Sequence, residues 1–309
     1  MAGCVFGIVN RALIGSWSIS TGTAVTGYPI NNLNDASAGT QAQVTPSTAT
    51  VILICDLGAA PSSSTNTDWA INSFGLANAN LDGATVEVQY NTTSSVPTTG
   101  TNQVWTKALD ANMGNPNLLV TFSAASYRYW FIRITTAPTP TKIGVVHLGF
   151  ALDLGDPAEG WQDTFSPTTG GQTGTGTTII TRFVDPAIVK QFQFDDPSVN
   201  VKTQVDSKAV ANATTFPTYA TLRRMLSKAK QTPINATTTV AGLSAGAGIP
   251  MLYHEGTARG ISSAGRPAFY GLASFGLTHD GVRPTASSIS VSVLDMNDAN
   301  NVDVQPPTN

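Results

Sequence analysis

Ser244 stands in GLSAG (Gly242 to Gly246), a G-x-S-x-G arrangement of the kind that presents a nucleophilic serine in hydrolases. Such an elbow needs a strand before the serine, a helix after it, and then an acid and a histidine further along the chain. TTTVA supplies a strand-like approach. AGAGIP cannot supply the helix, because glycine loses the most freedom on becoming helical and Pro250 has no amide hydrogen to give. Of the acids downstream of Ser244, only Glu255 precedes His279, and Asp280 follows both His254 and His279. GLSAG therefore reads as a Gly/Ala turn between strands, and no residue of the chain is assigned a catalytic role.

The remaining reactive side chains read in the same way. GGQTGTG (Gly170 to Gly176) lacks the flanking strand and helix, and the Lys-Ser/Thr ending, that a phosphate-cradling loop requires. His254-Glu255 lacks the second histidine of a zinc helix, and the histidines at 147, 254 and 279 are scattered, so neither a metal nor another cofactor is expected. DMNDANN (Asp295 to Asn301) carries oxygen ligands but not the glycine or the closing glutamate of a calcium loop. Arg223 and Arg224 form the one basic pair on a helical stretch and are candidates for a subunit contact. Among aromatics, Tyr127, Tyr129, Trp130 and Phe131 are expected mainly in a core, whereas Trp69 and Trp161, in polar loops, are the candidates for stacking on a glycan or on a neighbouring subunit.

These residues hang on a chain patterned for strands. VILICDLG (Val51 to Gly58) is an apolar run of strand length closed by Asp and Gly. WAINSFGLANANL and ATVEVQYN flank an Asp82-Gly83 turn. In the second of these Val86, Val88 and Tyr90 alternate with Glu87 and Gln89, the mark of a half-buried strand. TGTNQVWTKAL holds a short strand around Trp105, YRYWFIRIT (Tyr127 to Thr135) is the most strand-like stretch of all, and KIGVVHLGFAL follows after the break at APTPT. No helical period competes before residue 150. The expectation is an all-β chain: a jelly-roll sandwich over 1–152, a Gly/Thr/Pro-rich linker or arm over 153–178, and a second β-rich domain over 179–309. That second domain carries one helix at about 218–231, capped by Thr218 and stopped by Pro233, with strands in IITRFVDPAIVKQFQFDD, IPMLYHE, PAFYGLASFGLTH and SSISVSVLDM.

Composition narrows the class of function. Charged residues make up 11% of the 309, against roughly 25% in an average globular domain, and small neutral polar residues take their place. A surface so short of charge suits a protein that is packed against neighbours. With a net charge of −3 and no Lys/Arg run, a nucleic-acid partner is not expected, and no apolar stretch is long enough to span a membrane. The opening MAGCVFGIVNRALIGSWS lacks a basic start and is interrupted by Arg11, so it does not read as a signal peptide. Cys4 and Cys55 do not resemble a secreted disulfide framework; reduced thiols are expected.

Taken together, YPINNLNDAS (Tyr28 to Ser37), VILICDLG, WAINSFGLANANLDGATVEVQYN, VWTKAL and RYWFIRIT resemble the discoidin, or galactose-binding-like, jelly roll. IGVVHLG at 143–149 is similar to the closing strand of that module where it occurs in bacteriophage tail and other virion proteins, and the second half looks, more loosely, like the C-terminal β domain of such tail components. The resemblance implies a non-enzymatic structural component of a bacteriophage virion in the tail, adaptor or baseplate region, assembled in the host cytoplasm, with copies of itself and other virion proteins as partners. The alternatives it leaves open are a carbohydrate-binding module that recognises a host surface glycan and a head decoration protein. Its sugar-binding loops vary too much to assign ligand residues here.

Overall fold

The computed structural model describes residues 4–34, 40–58, 70–109, 117–153, 162–166, 169–172, 180–183, 187–195, 249–254, 268–279 and 287–295. Eleven strands come from the first half: β1 (Val5–Asn10), β2 (Ser16–Thr21), β3 (Thr23–Ala24), β4 (Ala42–Thr45), β5 (Thr50–Asp56), β6 (Ile71–Ala79), β7 (Thr85–Asn91), β8 (Gln103–Ala108), β9 (Leu118–Ala125), β10 (Tyr129–Thr135) and β11 (Thr141–Asp153). Two short 3-10 turns, Arg11–Leu13 and Ile30–Asn34, are the helical segments among the described residues there. One antiparallel sheet has the order β2-β5-β10-β7-β8. Facing it, β11 is flanked on one side by β6 and then β9, and on the other by β1 near its end and β4 near its start. This is the jelly-roll β-sandwich.

The core follows from alternation. Val51, Leu53 and Cys55 of β5, Val86 and Val88 of β7, and Trp130, Ile132 and Ile134 of β10 point inward from the first sheet. They meet Phe74 and Leu76 of β6, Leu118 and Val120 of β9, and Val146 and Leu148 of β11. The aromatic run divides between core and rim: Trp130 and Phe131 are fully buried, Tyr127 and Tyr129 half-buried. Cys4 and Cys55 are both buried thiols, and burial raises the pKa of the Cys55 thiol well above its ordinary value.

One expectation fails instructively. Glu87 and Gln89, on the polar side of β7, are buried rather than solvated. The 92–102 loop folds back over the outer face of the first sheet and is pinned there by side chains. Gln89 Nε2 donates to the carbonyls of Thr98 (2.8 Å) and Thr101 (2.9 Å), and Gly100 N–H donates to Glu87 Oε1 at 2.7 Å. Arg133 of β10 donates to the Pro97 carbonyl at 2.7 Å and lies 3.5 Å from Glu87 Oε2. Polar residues are tolerated inside because each meets partners left over from loop backbone.

The described strands of the second half are β12 (Gln162–Ser166), β13 (Thr169–Gln172), β14 (Ile180–Phe183), β15 (Ala187–Asp195), β16 (Ile249–His254), β17 (Phe269–His279) and β18 (Ser287–Asp295). The stretch 153–178, expected as a link or arm, thus carries two of them, and β12 pairs with β15 while β13 pairs with β14. The helix expected over 218–231 lies outside the described residues. β12-β15-β18-β17-β16 runs on into β1, so both halves of the chain share one sheet. The join is narrow: Val5 pairs with His254 and Phe6 with Tyr253, and the Phe6 and Tyr253 rings stack at 5.7 Å.

Beyond that join, β16 and β17 cover the outer face of the β6–β11 sheet. Val5, Ala77, Leu119, Val145 and Ala151 form a second buried cluster with Leu252, Ala268 and Tyr270. Ala77, Ala151 and Gly75 keep parts of this face low, so that a neighbour can come close. A Cβ on Gly75 would stand 2.6 Å from Leu252 Cδ1 and 2.7 Å from the Leu118 carbonyl oxygen, so the missing side chain is the notch that Leu252 fills.

Candidate binding site

The sandwich has two ends. At the one where β11 begins lie the turns 25–29, 46–49, 80–84 and 136–140. Tyr28 lies here, in the turn after Gly27, and at 44% exposure it is the large hydrophobic residue left in solvent among the described residues. Its backbone is tied to the sheet: Tyr28 N–H donates to the Val25 carbonyl (3.0 Å), and the Tyr28 carbonyl accepts from Gln43 N–H (3.2 Å). Gln43 pairs with Lys142 at the start of β11. Lys142 N–H in turn donates to Asn80 Oδ1 at 2.6 Å, and Asn80 Nδ2 donates to the Pro140 carbonyl at 2.9 Å. Tyr28, Gln43, Lys142 and Asn80 therefore form a row across the strand ends, about 14 Å long for three interstrand steps.

The surroundings of that row are hydroxyls and amides. Thr23, Thr26, Thr45, Ser47, Thr48, Asn80, Thr136 and Thr139 are exposed, with Asp82 the exposed acid and Lys142 half-buried. The loops are also held in a costly conformation. Thr48, Ala49 and Thr136 have φ of 49°, 56° and 54°, in the left-handed region where a β-branched residue such as threonine is an outlier. Ala137 N–H donates to the Ala49 carbonyl at 2.9 Å, so the two strained loops lock one another. Strain of this kind persists where the surrounding structure fixes it, and it clusters at ligand-binding sites.

At the opposite end the described side chains pair with one another. Arg128 donates to both oxygens of Asp56 (2.7 and 2.9 Å) and lies over the Tyr129 ring at 4.8 Å. The hydrogen bond from Arg128 holds the Asp56 carboxyl below the usual carboxylate range. The Tyr90 and Tyr127 rings stack on each other at 3.8 Å, so each covers one face of the other.

A serine–histidine pair does exist, though sequence spacing does not reveal it. Ser73 Oγ lies 2.9 Å from His147 Nε2 and donates to the Gly149 carbonyl, also at 2.9 Å. Since the serine proton is given to Gly149, the imidazole must donate to the serine oxygen. A nucleophile needs the reverse polarity and access to substrate. Both residues are buried, and burial pushes the His147 pKa down to about 3. The pair is a packing device.

Of the residues singled out from the sequence, Trp69, Trp161, Arg223, Arg224 and Ser244 lie outside the described residues, while His254 and His279 are the closing residues of β16 and β17. Among the described residues, no three of His, Cys, Asp and Glu gather into a metal-binding group. Tyr28, Gln43, Asn80 and Lys142 were not foreseen as a site. The readable signal was an aromatic residue between Gly27 and Pro29, a turn that presents rather than buries its side chain.

No protein-family model matches this chain, and no curated protein does. Solved structures similar to it include chitosan-binding module 1 of a chitosanase/glucanase from Paenibacillus sp. IK-5, 16% identical with a TM-score of 0.36 over 46% of this chain and 98% of that one. The lectin domain of lectinolysin, complexed with Lewis B antigen, is 16% identical with a TM-score of 0.34 over 45% of this chain and 94% of that one. The Streptococcus pneumoniae fucose-binding module SpX-3 is 10% identical with a TM-score of 0.34 over 46% of this chain and 97% of that one.

Proposed function

We propose that this chain is a non-catalytic carbohydrate-binding protein and that glycans dock on the row from Tyr28 to Asn80. The observation that carries the reading is Tyr28 itself, an aromatic ring kept in water at an end rich in hydroxyls and amides. A pyranose has an apolar C–H face, which an aromatic ring covers, and a rim of hydroxyls, which amides and an ammonium group bind. Locked loops favour such a ligand because little ordering remains to be done on binding.

The test is a glycan array followed by calorimetry on the hits, with chitotriose, Lewis B antigen and fucose included because chitosan-binding module 2 of the same Paenibacillus enzyme is complexed with the first, the lectin domain with the second, and SpX-3 binds the third. Tyr28→Ala is expected to weaken binding at least tenfold, about 1.4 kcal/mol, with the melting temperature unchanged because the side chain is exposed. Absence of binding to every glycan, or equal affinity in the variant, would refute the site.

The second reading is that of a bacteriophage virion component in the tail, adaptor, baseplate or head decoration, with copies of itself and other virion proteins as partners. What favours it is the 11% charged content, which suits surfaces destined to be covered. The two readings are compatible, since a particle protein can bind a host glycan. Mass spectrometry of purified particles decides the second: a chain never detected in them is not part of one.

A further inference from the structure

We propose that the docking of β16 and β17 on the sandwich is released by acid, with His147 as the sensing group. His147 pairs with Gly75 across β11 and β6, so its imidazole projects to the same side as the notch that Leu252 fills. The ring also occupies the space beside Gly7 of β1, where a Cβ would come within 2.8 Å of Cε1. It is thus on the sheet face that carries Val145, Ala77 and Ala151, the face Leu252 packs on, and beside the β1 residue that follows the two-residue β1–β16 pairing. Ser73 Oγ is its polar partner, and nothing anionic faces it from the residues of that cluster.

The sign of the effect follows from linkage. His147 is neutral in the docked state, with a pKa pushed down to about 3 by burial, whereas an undocked imidazole returns to about 6.5. Between those values the open state binds a proton that the docked state cannot, so opening becomes easier as pH falls. The other titratable or charged groups on the packed elements are Arg11 of the 3-10 turn against β11, Cys4 just before β1, Lys142 and Asp153 of β11, Tyr253 and His254 of β16, and Tyr270 and His279 of β17; β1, β6 and β9 themselves contribute none. Arginine, cysteine, lysine and tyrosine do not change charge in this window. Asp153, His254 and His279 are therefore the competitors that the experiment must separate.

Hydrogen exchange on the full chain, corrected for the intrinsic rate at each pH, reads the opening constant of β16 directly. In the wild type that constant is expected to rise about tenfold per pH unit between pH 6 and pH 4, while β5 and β10 remain protected. His147→Gln, which keeps an amide donor but no titrating group, is expected to flatten the response to less than twofold per unit. The double variant His254→Gln/His279→Gln, in which His147 is the remaining histidine, is expected to keep the wild-type slope. It also serves if His147→Gln does not fold. A flat wild-type response, an unchanged slope in His147→Gln, a lost slope in the double variant, or loss of β5 and β10 protection in step with β16 would each overturn the proposal.

Discussion

Alanine in place of Trp130 is expected to lower the stability of the protein by roughly 3–5 kcal/mol, the range for emptying a buried aromatic site. Trp130 is fully buried near the start of β10, between Cys55 of β5 and Tyr90 of β7. Its ring packs near Tyr90 and Phe122, with centroids 5.9 and 6.2 Å away, and its Nε1 donates to the Tyr127 carbonyl at 3.0 Å. Removal leaves a cavity that paired strands on both sides cannot close, and strands the Tyr127 carbonyl. Urea unfolding would show the loss as a lower midpoint at unchanged slope. A shift corresponding to less than about 1 kcal/mol would mean that the indole is not the centre of this core.

Arg133→Ala is expected to cost about as much, roughly 3–5 kcal/mol, through electrostatics rather than volume. Glu87 is buried beneath the 92–102 loop, and Arg133 is the cation beside it. Truncation leaves that carboxylate in a poorly hydrated place, with Gly100 N–H still donating to one oxygen, and frees the Pro97 carbonyl. Replacing both partners at once, Glu87→Gln with Arg133→Met, is expected to be milder than Arg133→Ala alone, because no uncompensated charge remains. A double-mutant cycle checks this: additive losses would show that the two residues do not act as a pair.

Much of the sandwich was legible because its strands announce themselves by composition. Val51–Gly58, Ala84–Asn91 and Tyr127–Thr135 are apolar, β-branched or alternating, and each covers all or nearly all of a strand of the first sheet. β1 to β4 and β9 were not foreseen. β3 spans two residues and β4 four, and β9 shows buried residues in a block before its exposed ones, a pattern that alternation does not flag. The burial of Glu87 and Gln89 was illegible for another reason: it depends on a loop folding back, which no local period records. The candidate site was harder still. Gln43, Lys142 and Asn80 meet only through the pairing of β4 and β11 and through one asparagine side chain, and contacts between residues so far apart in the chain leave no spacing to read. What local signal there was lay in Gly27-Tyr28-Pro29.

The glycine- and alanine-built flank beneath β16 and β17 bears on how this protein can be dissected. A recombinant fragment cut after Asp153 would bring a greasy, unshielded wall and a bare β1 edge into water, the combination that invites clumping. Borrowing the sandwich as a detachable tag, or shuffling it into a fusion as nature does with free-standing modules, would therefore require repainting that wall with polar residues first.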